Sequence, residues 1–123
     1  MKQLIVGVFR CGPEQAQVVL REGTGGELYF VPEVGCIPRI KIGADGDGWD
    51  EVVSTLLHEA FEMELTRMRC RYSPAPDFGR DMGDFLFILT HAEFSEVCGR
   101  VSVFVADALP AVATAYKKWG RKK

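Results

Sequence analysis

The chain has 123 residues, of which 47% are hydrophobic and 26% are charged, a balance typical of one globular domain. This composition excludes a disordered chain, a collagen-like repeat and a long coiled coil. Fifteen lysines and arginines against seventeen aspartates and glutamates give a net charge of −2, which excludes a general affinity for nucleic acid. Because the sequence has neither a secretory signal nor an unbroken apolar run of about 18 residues, we expect a cytoplasmic protein without a membrane span.

Four segments in the first third of the chain are predicted strands. Residues 2–9 are β-branched and apolar enough for a buried strand. The segments 15–21 and 27–32 flank a glycine-rich turn, which predicts a β-hairpin. Residues 37–42 alternate apolar and basic side chains. Because Pro38 cannot donate a ladder hydrogen bond, this strand either lies at a sheet edge or has the proline at its start.

A long amphipathic helix is predicted after the turn at 43–48. Asp47 is its expected N-cap, and Asp50 and Glu51 lie in the first turn, where acidic groups are favourable near the helix dipole. Its apolar residues recur at three- and four-residue steps. They are Trp49, Val52, Val53, Leu56, Leu57, Ala60, Phe61 and Met68.

A second buried strand and a second long helix are predicted in the last third of the chain. Residues 84–89 form the strand. Thr90 and Glu93 match a capping box, in which the two side chains accept hydrogen bonds from each other's backbone amides. The following helix carries a continuous apolar stripe, and Pro110 within it predicts a kink or a restart near Leu109.

The order of these elements indicates the fold class α+β. We expect a single small domain over residues 1–116, with a mostly antiparallel or mixed sheet of about four or five strands packed by two long helices. Residues 117–123 carry five positive charges and are expected to form a basic C-terminal tail. This tail is interpreted as a frayed, solvated helix end, and contact with phosphate or an acidic partner is the alternative.

The four cysteines, Cys11, Cys36, Cys70 and Cys98, are expected to be free thiols. No C-x-x-C pair is present, which argues against a zinc knuckle and a thioredoxin-type redox site. An even number of cysteines would allow two disulfides, but the absence of a secretory signal favours the reduced form.

The two histidines carry a metal-binding hypothesis. His58 and Glu62 are four residues apart on the polar face of the first helix, a spacing that lets both side chains bind one ion. Glu59 is offset by one residue and reaches a water molecule on that ion. His91 lies at the start of the second helix, where the helix N-terminus favours a neutral imidazole that can bind metal. The alternative is a solvated helix face for the first group and a capping-region side chain for His91.

The sequence H-E-A-F-E at 58–62 resembles the H-E-x-x-H motif of zincin metallopeptidases, with Glu62 in place of the second histidine. Thermolysin-like zincins bind zinc through two histidines and one glutamate. The resemblance therefore implies His58, Glu62 and His91 as zinc ligands and Glu59 as the general base that deprotonates a bound water. The implied reaction is hydrolysis of a peptide or amide bond, with a peptide or protein as substrate.

The same resemblance, which extends over about residues 37–119, allows a second interpretation. The chain is then a catalytically inactive zincin-like scaffold without metal, acting as a binding or assembly protein. Its long C-terminal helix and basic tail would form the interaction surface, with a homodimer as one outcome. The small single-domain form is also similar to small proteins of phage and prophage genomes. No membrane partner is expected, and no nucleic-acid partner apart from contacts of the basic tail.

Overall fold

The computed structural model describes residues 2–30, 37–72 and 86–121, and within them it contains six strands and two helices. The strands are β1 (Gln3–Cys11), β2 (Glu14–Arg21), β3 (Gly26–Tyr29), β4 (Arg39–Gly43), β5 (Arg71–Tyr72) and β6 (Leu86–Phe87). The helices are α1 (Trp49–Arg67) and α2 (His91–Arg121). The predicted α+β class, with a mixed sheet packed by two long helices, is confirmed.

The first four strands form one mixed sheet in the order β1-β2-β4-β3. β1 pairs with β2 and β3 pairs with β4 in antiparallel fashion, whereas β2 and β4 run parallel. The predicted hairpin between 15–21 and 27–32 is therefore wrong, because β4 lies between these two strands. The glycine-rich turn instead crosses the end of β4, where Gly43 donates a backbone hydrogen bond to Gly25 at 2.7 Å.

β4 is a central strand of this sheet, so its predicted place at a sheet edge is wrong. Its Ile40 and Ile42 side chains are fully buried. Such burial is typical of a strand in the middle of a sheet. Pro38 precedes the strand and joins the ladder only through its carbonyl, which accepts a hydrogen bond from Gln17 at 2.9 Å. The alternative with Pro38 at the strand start is confirmed.

Two strands that were predicted to be buried are more exposed than their composition suggests. β1 is an edge strand whose burial alternates, and Ile5 and Val8 on its outer face are exposed. The predicted strand at 84–89 is limited to β6 among the described residues, and both of its side chains are exposed. The reason is tertiary packing, since within the described part of the chain β6 pairs with the two-residue strand β5 alone. Residues 84–85 lie outside the described residues.

Both helices pack on one face of the four-stranded sheet. α1 contacts β3 and β4, α2 contacts β1 and β2, and the two helices contact each other. Buried apolar side chains from all these layers form one core. They include Val18, Leu20, Ile40, Ile42, Val52, Leu56, Met63, Val101, Phe104 and Val112.

The N-terminus of α1 is capped differently from the prediction. Gly48 is the N-cap and contributes no side chain, so the assignment of Asp47 is wrong. The Asp47 backbone amide instead donates to the Glu51 carboxylate at 2.7 Å. Asp50 and Glu51 lie in the first turn, as predicted. The Glu51 side chain therefore satisfies the Asp47 backbone amide at the start of the helix.

The capping box at the start of α2 is confirmed. The Thr90 amide donates to Glu93 Oε1 at 2.8 Å, and the Glu93 amide donates to Thr90 Oγ1 at 3.1 Å. The helix continues from His91 to Arg121 with Pro110 inside it, so the predicted restart near Leu109 does not occur. A single missing backbone donor is tolerated because the buried stripe continues on both sides of the proline.

The domain does not end at residue 116. Trp119 is buried, its indole Nε1 donates to Asp45 Oδ1 at 3.1 Å, and Lys2 Nζ lies 4.1 Å from the centre of its ring. The core therefore extends through Trp119, which lies inside the segment 117–123 that was predicted to be a basic tail. Residues 122–123 lie outside the described residues.

By length and composition, α2 is apolar enough to cross a membrane, and 28% of that stretch is buried inside the molecule. The sequence-based expectation relied on unbroken apolar runs, which this helix lacks. Core helices of soluble proteins share this length and composition. No membrane span is inferred.

Three of the four cysteines are free thiols, as predicted. Cys11 and Cys70 are buried, and Cys98 is partly buried. Cys36 lies outside the described residues.

Candidate metal site

Three side chains of α1 converge on its solvent side. His58, Glu59 and Glu62 each offer a ligand atom, and these atoms lie within 4.8 Å of one another. Side chains three and four positions apart on a helix are neighbours, so Glu62 lies beside both Glu59 and His58. Among the residues that the structure describes, this is the one group of three or more histidine, cysteine or acidic side chains with such spacing.

The distances in this group approach those of a tetrahedral metal site. His58 Nε2 lies 3.4 Å from Glu62 Oε2 and 3.8 Å from Glu59 Oε1. Ligands that each lie about 2.1 Å from a tetrahedral ion are about 3.4 Å from one another. The His58 and Glu62 atoms therefore already have this separation, whereas the Glu59 oxygen lies 0.4 Å farther from His58 than Glu62 does and within 4.8 Å of the other two ligand atoms.

The three side chains differ in their exposure. The exposed fraction is 69% for the His58 side chain, 16% for Glu62 and 8% for Glu59. Glu59 is covered by β3, because a Cβ atom added at Gly26 would lie 3.3 Å from Glu59 Cγ. The site thus has a protected carboxylate at its base and an imidazole at its opening.

Glu59 is a buried carboxylate that accepts no hydrogen bond from the described residues. Burial raises its pKa above the ordinary value, the negative charge of Glu62 raises it further, and His58 acts in the opposite direction. A largely buried charge is costly to the folded state unless it is well paired, and the ion-pair partner of Glu59 among the described residues is the exposed His58 imidazole at 3.8 Å. A bound cation would offset that cost by stabilising the ionised form.

Arg71 orients the Glu62 carboxylate. Its guanidinium Nη1 lies 3.1 Å from Glu62 Oε1, while Oε2 of the same carboxylate faces His58. Oε1 of Glu62 therefore contacts the arginine, and Oε2 is the oxygen that is placed to bind an ion. Such an outer partner holds a ligand in position, although its positive charge also weakens the attraction for a cation.

His91, the other predicted metal ligand, is not part of this group. It is the exposed first residue of α2. The zincin resemblance implies a general-base role for Glu59. In the structure, Glu59 Oε1 lies 3.8 Å from His58 Nε2, close enough for both atoms to bind the same ion. The structure therefore brings together His58, Glu59 and Glu62, and it does not add His91 to them.

Sequence reasoning missed two residues that shape the site. Gly26 allows β3 to approach α1 closely, since a side chain there would overlap the Thr55 methyl group. Arg71 belongs to β5 and reaches Glu62 from outside α1. No sequence motif indicates either contact, because each depends on how distant segments pack.

Comparisons with models of protein families, with curated proteins and with solved structures found no match for this chain. The site is therefore described from its own geometry.

Proposed function

We propose that this chain is a metal-binding protein in which His58, Glu59 and Glu62 bind one divalent cation. The observation that carries the proposal is the Glu59 carboxylate, which is buried, accepts no hydrogen bond from the described residues and lies 3.8 Å from His58. A cation bound by all three side chains would give Glu59 a positive partner closer than the His58 imidazole, which is charged only when protonated.

Zinc is the expected ion. One imidazole nitrogen and two carboxylate oxygens belong to the ligand types that zinc accepts in tetrahedral sites. Three protein ligands leave the fourth position open, and the exposed side of His58 directs that position toward solvent. Zinc sites with an open position bind water and lower its pKa, so the arrangement supports a zinc-dependent hydrolase as a finer form of the proposal.

The zincin-like form of the proposal uses His91 as the third ligand and frees Glu59 to act as the general base. In this form the protein would hydrolyse a peptide or amide bond. The form with Glu59 as a ligand is favoured, because it needs no movement of α2 relative to α1. The free thiols of Cys11, Cys70 and Cys98 suit a reducing compartment, and we therefore propose a cytoplasmic location.

Zinc titration of the two histidine variants tests the ligand set. Calorimetry on chelator-treated protein at neutral pH is expected to give one zinc per chain for the wild type. His58→Ala is expected to lower the affinity by about tenfold to a hundredfold, since one of three ligands is lost. His91→Ala is the matched control, because it removes the other imidazole, and it is expected to bind zinc as the wild type does.

Two results would contradict this expectation. A wild-type chain that takes up no zinc would exclude the metal proposal altogether. Equal losses in His58→Ala and His91→Ala would exclude the three-residue group and support the zincin-like ligand set. Circular dichroism on each variant shows whether a loss of binding reflects a loss of folding.

A further inference from the structure

The outer face of α2 is unusually poor in charge for an exposed helix surface. We define the α2 outer face as the exposed residues Gly99, Ser102, Val103, Ala106, Pro110 and Thr114. They recur at three- and four-residue steps, so they lie on one side of the helix, opposite the buried stripe. Between Glu96 and Lys117, Asp107 is the one exposed charged residue of the helix.

The packing of the described residues does not explain the glycine at position 99. A glycine inside a helix costs about 1 kcal/mol relative to alanine. A Cβ atom added at Gly99 would meet no described residue within 4 Å, as is also true of Gly120 at the end of the helix, so the described part of the fold does not require a glycine there. A glycine is needed on a helix surface where another backbone approaches closely, and this explanation requires a partner outside the described chain.

The two ends of the α2 outer face carry opposite charges. Glu96 lies at its N-terminal end, beside Arg100 at 2.7 Å, and Lys117 lies at its C-terminal end. Lys117 forms no ion pair with the described residues. Two copies of α2 in antiparallel orientation bring the acidic end of each helix to the basic end of the other, whereas a parallel pair would bring like charges together.

We infer that two copies of this chain pair through their α2 outer faces, with the helices antiparallel. Glu96 of each chain then faces Lys117 of the other, over a contact about 32 Å long. The twofold axis passes between Ala106 and Asp107, and Gly99 of each chain faces Thr114 of the other. This is an isologous interface, in which the same residues of both copies contact each other.

The register makes a distinctive prediction for Asp107. The axis brings the Asp107 carboxylates of the two chains near each other, and their repulsion weakens the pair. Asp107→Asn, which removes that repulsion, is expected to strengthen the dimer. If the α2 outer face bound an unrelated partner instead, Asp107→Asn would not be expected to increase self-association.

The test is sedimentation equilibrium of the full chain in chelator, from micromolar to millimolar concentration. The expected mass rises toward twice the 13.7 kDa of one chain. Gly99→Leu is expected to keep the chain monomeric without lowering its thermal midpoint, because leucine favours the helix but blocks close approach. Ser54→Leu adds the same side chain to an exposed position of α1 and is expected to dimerise as the wild type does.

Charge reversal tests the orientation. Glu96→Lys and Lys117→Glu are each expected to weaken the dimer by about tenfold, since every dimer contains two copies of the altered contact. The double variant restores opposite charges and is expected to recover most of the loss. Lys41→Glu on β4 makes the same charge change away from α2 and is expected to have little effect.

Three results would overturn the inference. One is a chain that stays monomeric over the whole concentration range. Another is a dimer that Gly99→Leu leaves intact, or charge variants whose combination restores nothing. The last is a monomeric chain that floats with phospholipid vesicles through α2, which would assign the same face to lipid. Because all measurements are made in chelator, they are independent of the zinc proposal.

Discussion

Glu59 and Glu64 are both buried acidic residues of α1, but they differ in their partners. Glu64 accepts a hydrogen bond from the Cys11 thiol at 2.9 Å and lies 3.3 Å from Arg67. Arg100 of α2 lies 3.7 Å from its other oxygen. Glu64 therefore joins α1 to β1 and α2, whereas Glu59 has no comparable network. This contrast separates a structural carboxylate from one that is available to a ligand.

The same substitution at these two positions is expected to have opposite effects on stability. In chelator, Glu59→Met is expected to raise the free energy of unfolding by about 1–3 kcal/mol, because it removes a largely buried carboxylate that accepts no hydrogen bond from the described residues and faces only the exposed His58. Glu64→Met is expected to lower it by about 3 kcal/mol, because Arg67, Arg100 and the Cys11 thiol all lose their shared buried carboxylate, and Arg67 keeps only Glu14 and the Cys11 carbonyl as polar partners among the described residues. Urea denaturation measures both values. Equal destabilisation by the two variants would mean that Glu59 has a stabilising partner.

At the scale of elements, the sequence predicted which segments form strands and helices better than it predicted how the strands pair. The periodicity of α1 and α2 and the capping box at Thr90 and Glu93 are local, so they are readable from neighbouring residues. Strand order is not local. Gly43 shows this, because a Cβ atom there would overlap the backbone of Thr24, a contact that exists only once β4 has entered the sheet.

The capping box makes the start of α2 sensitive to pH. The hydrogen bond from the Thr90 amide is the main cause that lowers the pKa of Glu93 below its ordinary value, and the Cys70 thiol adds to it. A carboxyl group whose pKa is lower in the folded state stabilises the fold above its ordinary pKa, and this stabilisation is lost as the pH falls through the folded-state pKa.

Glu93→Ala is therefore expected to lower the thermal midpoint at neutral pH by more than it does in acid. The measurement is thermal unfolding of both proteins over a series of pH values. Glu22→Ala, at an exposed turn position, is the control and is expected to change the midpoint little at any pH. A difference between wild type and Glu93→Ala that is constant with pH would show that the ionised carboxylate is not what stabilises the helix start.

At the scale of the whole molecule, α2 joins the segment predicted as a C-terminal tail to the rest of the domain. Its start is held by the capping box, and its end is held by Trp119, which contacts Asp45 and Lys2. Five positively charged residues near the C-terminus suggested a solvated tail. Composition alone does not show that Trp119, which lies among them, is buried. The same helix leaves its outer face free, on a different element from the metal group of α1.

The metal hypothesis was also only partly readable from the sequence. The spacing of His58 and Glu62 predicted two side chains within reach of one ion, because both lie on the same helix. The choice of a third ligand between Glu59 and His91 depends on the position of α2 relative to α1, which no local pattern specifies. The zincin resemblance and the similarity to phage proteins stay predictions.

Zinc binding by Glu59→Ala tests the central claim most directly, because the two forms of the site assign this residue different roles. If Glu59 is a ligand, the purified variant is expected to lose at least about tenfold in zinc affinity while staying folded. Calorimetry at neutral pH, with metal analysis after dialysis, measures this loss. If Glu59→Ala binds one zinc per chain as tightly as the wild type, Glu59 is not a ligand and the proposed site is wrong.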